Sequence, residues 1–166
     1  MARAIEPFVA SPKRRIETIR ALSRAEIRVT VNVAPLIPGL SDRDMPRILE
    51  AAAEAGASGA AMIMLRLPGP VKNVFETRLR STMPLAAERV LARTREMRGG
   101  RLNDPRFGSR MTGEGEYAEM VNALFRSTVK KLGLGGENRH ALYGSENTFR
   151  RPPKPGAQLS LFGERD

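Results

Sequence analysis

Two short runs of this chain have the make-up of β-strands, and a helical pattern lies between them, which constrains the fold more than any other feature. In residues 28–42 (RVTVNVAPLIPGLSD), Val29, Val31 and Val33 alternate with Thr30, Asn32 and Ala34, giving a strand with one β-branched face. The second run, residues 60–68 (AAMIMLRLP), is apolar and stops at Pro68-Gly69. Ser41 and Asp44 have the spacing of a capping box, opening a helix that carries Met45, Ile48, Leu49 and Ala52 on one face and ends at Gly56. An earlier helix starts at Ser11-Pro12, with Ser as cap and Pro in the first turn, and ends near Ala25-Glu26. The order helix–strand–helix–strand predicts a parallel sheet, because a crossover helix is needed to bring the second strand alongside the first. In β/α barrel enzymes the chemistry gathers on loops at the strands' C-terminal ends. Here those loops are residues 35–42 and 66–69. With the valines packed on helices, Asn32 points to the opposite face, and Pro35 and Pro38 make the first loop stiff.

The second half reads differently. Residues 85–97 are helical, with Leu85, Val90 and Leu91 apolar, and close at Gly99-Gly100. Residues 98–115 (RGGRLNDPRFGSRMTGEG) form a basic loop punctuated by glycine, of a length that usually carries function. Tyr117, Met120, Val121, Leu124 and Phe125 mark an amphipathic helix that stops at Gly133. Beyond Gly135 the chain turns polar and basic, then proline-rich through residues 150–156, the pattern of a disordered linker. The predicted organisation is therefore three segments: residues 1–80, residues 81–134 with the basic loop, and a tail of residues 135–166.

Lysine and arginine outnumber aspartate and glutamate by 28 to 18, a net charge of +10 that suits a polyanionic partner such as nucleic acid. Scattered arginines are equally the mark of a GC-rich genome, and the sequence leaves both explanations open. No apolar stretch reaches the ~20 residues that cross a bilayer, and no leader-like apolar core follows Met1. Together with the absence of cysteine, this predicts a cytoplasmic protein with no membrane partner.

The segments EPFVASPKRRIETIRAL, VAPLIPGLSD, LRLP and RGGRLNDPRFGSRMTGEGEYAE occur in this order from residue 6 to residue 119. In that order they resemble a radical S-adenosylmethionine (SAM) family related to spore photoproduct lyase, often called DNA repair photolyase-like radical SAM proteins. The second segment recurs in many radical SAM families, and its conjunction with the fourth is the more specific sign. The resemblance implies a partial (β/α) barrel of the radical SAM type, last strands only, followed by an α-helical extension and a disordered tail. It also implies a 4Fe-4S cluster, held by a C-x3-C-x2-C loop in an upstream half, and SAM cleaved reductively to a 5′-deoxyadenosyl radical. This chain has no cysteine, so the cluster ligands lie outside it. The resemblance further implies that the backbone near residues 65–68, including Leu67 and Pro68, meets the adenine. Asn32, Pro35 and Arg66 would complete the SAM pocket, Arg66 being suited to carboxylate because its fork donates two parallel hydrogen bonds. On the sequence alone, Asn32 serves equally well to satisfy backbone groups, and Arg66 equally well as a solvated cation.

One departure from the family stands at Ala25-Glu26-Ile27, where Gly usually occupies the middle position as a left-handed helix cap. Glu26 is therefore expected to carry backbone strain of roughly 1 kcal/mol. Arg98, Arg101, Arg106 and Arg110, with Phe107 among them, are candidates for gripping phosphates and stacking a base. The competing reading is a structural loop tied down by Asp104 pairing with an arginine. His140, the only histidine, has no partner ligand nearby in sequence and is not expected to bind metal.

The pentapeptide Gln158-Leu159-Ser160-Leu161-Phe162 resembles the peptide with which bacterial repair and replication proteins dock on the sliding clamp. Leu159, Leu161 and Phe162 would supply the apolar contacts and Gln158 a hydrogen bond at the pocket rim. A C-terminus folding back on the domain is the alternative. The resemblance thus implies part of a radical SAM enzyme of DNA repair type, inactive without its cysteine-bearing half. The alternative is a non-catalytic remnant that binds nucleic acid or the clamp.

Overall fold

A computed structural model describes residues 9–135. Helix α1 (Pro12–Arg24) begins where expected: Ser11 is extended, and its Oγ accepts the Arg14 amide at 3.3 Å. It ends in a turn in which the Ile27 amide reaches back to the Leu22 carbonyl at 3.0 Å. Closing that turn puts Glu26 at φ 59°, the left-handed conformation expected of it. Ile19 is the buried anchor of α1, packing on Ala52 and Ala55.

Strands β1 (Thr30–Leu36) and β2 (Gly59–Met64) pair in parallel, with Thr30 opposite Gly59 and Val33 opposite Met62. The register is irregular between Val33 and Leu36, and this irregularity admits Pro35, which has no amide to give the ladder. Leu36 then faces Met64, and the Leu65 amide donates to the Leu36 carbonyl at 2.9 Å. Strand β1 thus runs two residues beyond the point where the prolines suggest a loop, while β2 stops at Met64 instead of Leu67. Between the strands, a 3-10 turn (Asp42–Asp44) leads into α2 (Met45–Glu54). Ser41 does not cap this helix; its Oγ accepts the Ile37 amide at 2.8 Å and closes the loop after β1. Gly56 takes φ 95° where α2 ends, and a Cβ there would stand 2.1 Å from Ser23 Oγ of α1. Glycine is required at that position on both counts.

After β2 come α3 (Val71–Thr82) and α4 (Pro84–Glu96), the short α5 (Ser109–Thr112) and α6 (Glu116–Lys131). Helix α3 has no counterpart in the sequence reading. Phe75 and Leu79 of α3 share one core with Ala87, Val90 and Leu91 of α4 and with Ile37, Leu40, Leu65 and Leu67 from the strand-end loops. Leu85, expected on the apolar face of α4, is 99% exposed. A second core joins Val33, Leu36 and Met64 to Met45 and Leu49 of α2, and to Met97, Ala118, Val121 and Leu134. Each of these two cores therefore draws residues from both sides of position 80.

This architecture overturns the expectation of a partial barrel. Helix accounts for 56% of the described residues, and the only sheet among them has two strands. Two strands set no barrel curvature, and the described residues beyond β2 form helices. A small α/β fold, dominated by helices, is what remains. No helix among the described residues is long and apolar enough to cross a membrane.

Candidate functional site

The parallel pairing brings both strand-end loops to one end of the sheet. Val33 is buried against α2 and α6, so Asn32 lies on the opposite, exposed face, as the alternation requires. Asn32 and Pro35 line an open, largely apolar groove of about 710 Å³, which also meets Ile16 and Ile19 of α1 and Ile48 of α2. Arg66 does not line that groove. It leaves the end of β2 partly buried, and one Nη lies 3.8 Å from the Met111 Sδ of α5. Its Nε is buried and has no hydrogen-bond partner among the described residues. Leu67 is a core residue whose amide donates to Asn103 Oδ1 at 3.3 Å, and Pro68 is exposed. The five residues expected around SAM are thus divided: Asn32 and Pro35 on the groove, Arg66 beside α5, Leu67 inside, Pro68 at the surface.

The four arginines of the basic loop also separate by role. Arg98 is only 3% exposed. Its two Nη atoms donate to the Leu65 carbonyl at 2.8 Å and the Ser109 carbonyl at 2.9 Å, pinning α5 against the end of β2. Burial lowers the Arg98 pKa, while Asp104 raises it and neighbouring Arg66 lowers it further. A guanidinium held this way is structural: it supplies the buried Leu65 carbonyl with its donor and adds a second donor to the Ser109 carbonyl, which also accepts the Gly113 amide at 2.8 Å.

Arg106 bonds Asp104 through Nε at 3.0 Å and Nη2 at 2.9 Å, and Glu114 at 2.6 Å. The Arg106 amide at 3.0 Å and Ser109 Oγ at 2.7 Å also donate to Asp104. These hydrogen bonds, those from the Arg106 side chain foremost, hold the Asp104 carboxyl well below the usual range. The tie between Asp104 and an arginine is therefore present, and Arg106 spends its fork on carboxylates. Arg110 lies over the Phe107 ring, 4.7 Å from its centroid, and Phe107 is 90% exposed. Arg101 is exposed and makes no ion pair among the described residues.

Sequence reasoning passed over a polar hub at the loop after β1. Asp42 is buried and accepts the Gly39 amide at 2.9 Å, the Arg43 amide at 3.0 Å and the Tyr117 hydroxyl of α6. Arg93 of α4 sits 4.5 Å from the Tyr117 ring centroid. Burial, reinforced by the carboxylate of Asp42, pushes the Tyr117 pKa up to about 12. Nothing in the sequence joins residues 42 and 117; only the fold does. The clamp-like residues Gln158, Leu159, Leu161 and Phe162, like His140, lie outside the described residues. Among those described, no group of His, Cys, Asp or Glu is placed to hold a metal ion.

No protein-family model matches the chain, and no solved structure does. Similar curated proteins are the uncharacterized proteins Rv2578c and MT2655 of Mycobacterium tuberculosis and Mb2609c of Mycobacterium bovis. Each is 28% identical over 142 residues, covering 84% of this chain and 38% of the relative. The chain therefore spans well under half the length of the curated relatives it matches.

Proposed function

We propose that this chain is the C-terminal part of a longer cytoplasmic radical SAM protein that acts on nucleic acid, and that it generates no radical by itself. The observation that carries the reading is Arg66: a cation at the end of β2 whose buried Nε has no acceptor among the described residues. A buried guanidinium nitrogen without a partner costs stability unless a ligand answers it, and a planar carboxylate is the group its fork fits. The ordered run of sequence segments and the greater length of the relatives support the same reading.

The residues present fit SAM in part and do not fit the cluster. Arg66 suits the SAM carboxylate, whereas a chain without cysteine offers no thiolate to iron. A cluster held by cysteines outside this chain would supply the electron that cleaves the SAM carbon–sulfur bond. What this chain contributes is position: Arg66 binds the carboxylate, and Arg98 is a positioning residue that fixes the Leu65 carbonyl one residue away.

The test is to titrate SAM to millimolar concentration into the isotopically labelled chain and follow its NMR spectrum. The expected result is perturbation of the Arg66 Nε–H and the amides of residues 65–67, absent in Arg66→Gln. An unperturbed spectrum contradicts the proposal.

A further inference from the structure

A second cleft, of about 640 Å³, opens beside the β2-end loop between the start of α3 and the end of α4. Its wall carries Lys72, Arg95 and Arg101, three cations drawn from three different segments, and a single carboxylate, Glu76. Glu76 is already engaged by Arg80, whose Nη2 lies 3.0 Å from its Oε1. None of the three lining cations makes an ion pair among the described residues. Uncompensated positive charge in a concave site draws an anion, since the low-dielectric walls focus the field.

The neutral groups agree. Asn73 and Asn103 line the same cleft, and Asn103 turns its Oδ1 to the Leu67 amide, which leaves its amide hydrogens to donate. The first turn of α3 adds its dipole on the same side, a supporting contribution. The ligand is therefore an anion with several acceptor oxygens. No aromatic ring lines the cleft, so it has no surface on which to stack a base. An excess of ten positive charges over the whole chain favours a long polyanion over a single nucleotide.

We infer that the cleft formed by Lys72, Arg95 and Arg101 with Asn73 and Asn103 binds the phosphate backbone of a nucleic-acid strand, without reading its sequence. The inference rests on the nucleic-acid part of the proposed function and borders the SAM region at Leu67, but it uses neither Arg66 nor Asn32, so a failure of SAM to bind and a failure of this cleft to bind a strand are read separately. It also redistributes the role expected of the basic loop: Arg101 keeps it, while Lys72 and Arg95 join it from helices that carry no basic run.

The test is fluorescence anisotropy of the full chain with a labelled single-stranded oligonucleotide of mixed sequence, measured across a salt series. Each cation that contacts a phosphate contributes about 0.7 to the slope of log affinity against log salt for single strands. Arg101→Gln is expected to lower that slope by about 0.7 and the double variant Lys72→Gln/Arg101→Gln by about 1.4. Arg20→Gln, on exposed α1, is expected to leave it unchanged, and Arg101→Lys to restore it. These are surface positions, and a thermal melt of each variant establishes that it folds. An unaltered slope in the double variant overturns the proposal. So does a loss in Arg20→Gln as large as in Arg101→Gln, which is the behaviour of diffuse charge. ATP titrating the cleft at micromolar concentration, with strand binding indifferent to the double variant, assigns the site to a free nucleotide and overturns it equally.

Discussion

At the scale of single residues, arginines that look alike in sequence do opposite jobs. Arg98 and Arg101 are three positions apart in one glycine-rich loop, yet Arg98 is buried on two backbone carbonyls and Arg101 lines a cleft with no ion pair among the described residues. Arg98→Ala leaves the Leu65 oxygen without its donor and is expected to cost about 1–3 kcal/mol. Arg101→Ala is expected to change stability by less than about 0.5 kcal/mol. Chemical denaturation of the two variants checks the contrast. Glu26 is the reverse case, a residue whose strain was legible in advance. Its φ of 59° is a conformation glycine adopts freely, so Glu26→Gly is expected to stabilise the chain by roughly 1 kcal/mol. A lower melting temperature in that variant would mean that Glu26 makes compensating contacts.

At the scale of elements, the hub of Asp42, Gly39 and Tyr117 ties the loop after β1 to α6. Tyr117 has a folded-state pKa raised to about 12, above its ordinary value near 10. The stability it contributes is therefore complete below pH ~10 and is lost as pH rises through about 12. Absorbance titration of tyrosinate should show one of the two tyrosines ionising near pH 12, and Tyr117→Phe should abolish that step. Ionisation of both tyrosines near pH 10 would contradict the hub.

Much of the local architecture was legible because it rests on local rules: the Ser11 cap, the alternating valines, and the helices around Val90 and Val121. The strand pairing followed from the intervening helix. Helix α3 was missed although Val71, Val74, Phe75 and Leu79 stand at helical spacing; only Phe75 and Leu79 of these are buried, and the turn residues Pro68-Gly69-Pro70 before them drew the reading towards a loop. Ser41 carried a capping signature, but a nearer amide, that of Ile37, took its hydroxyl. In the site, the face of Asn32 was readable from strand alternation. The burial of Arg98 and the cation cluster around Lys72 were not, because both depend on segments that meet only in three dimensions.

At the scale of the whole molecule, an α/β unit with a two-stranded sheet matches 38% of the length of its relatives, in a chain without cysteine. On the function proposed above, its charge, its cationic cleft and an Arg66 Nε without a partner among the described residues belong to a part that binds and orients, with the redox chemistry supplied elsewhere. The most direct measurement is the DNA sequence upstream of the Met1 codon. The account predicts a reading frame there, continuous or shifted, that encodes a C-x3-C-x2-C loop and joins this chain into a longer radical SAM protein. An upstream region with no such frame would contradict it and leave binding as the function of this chain.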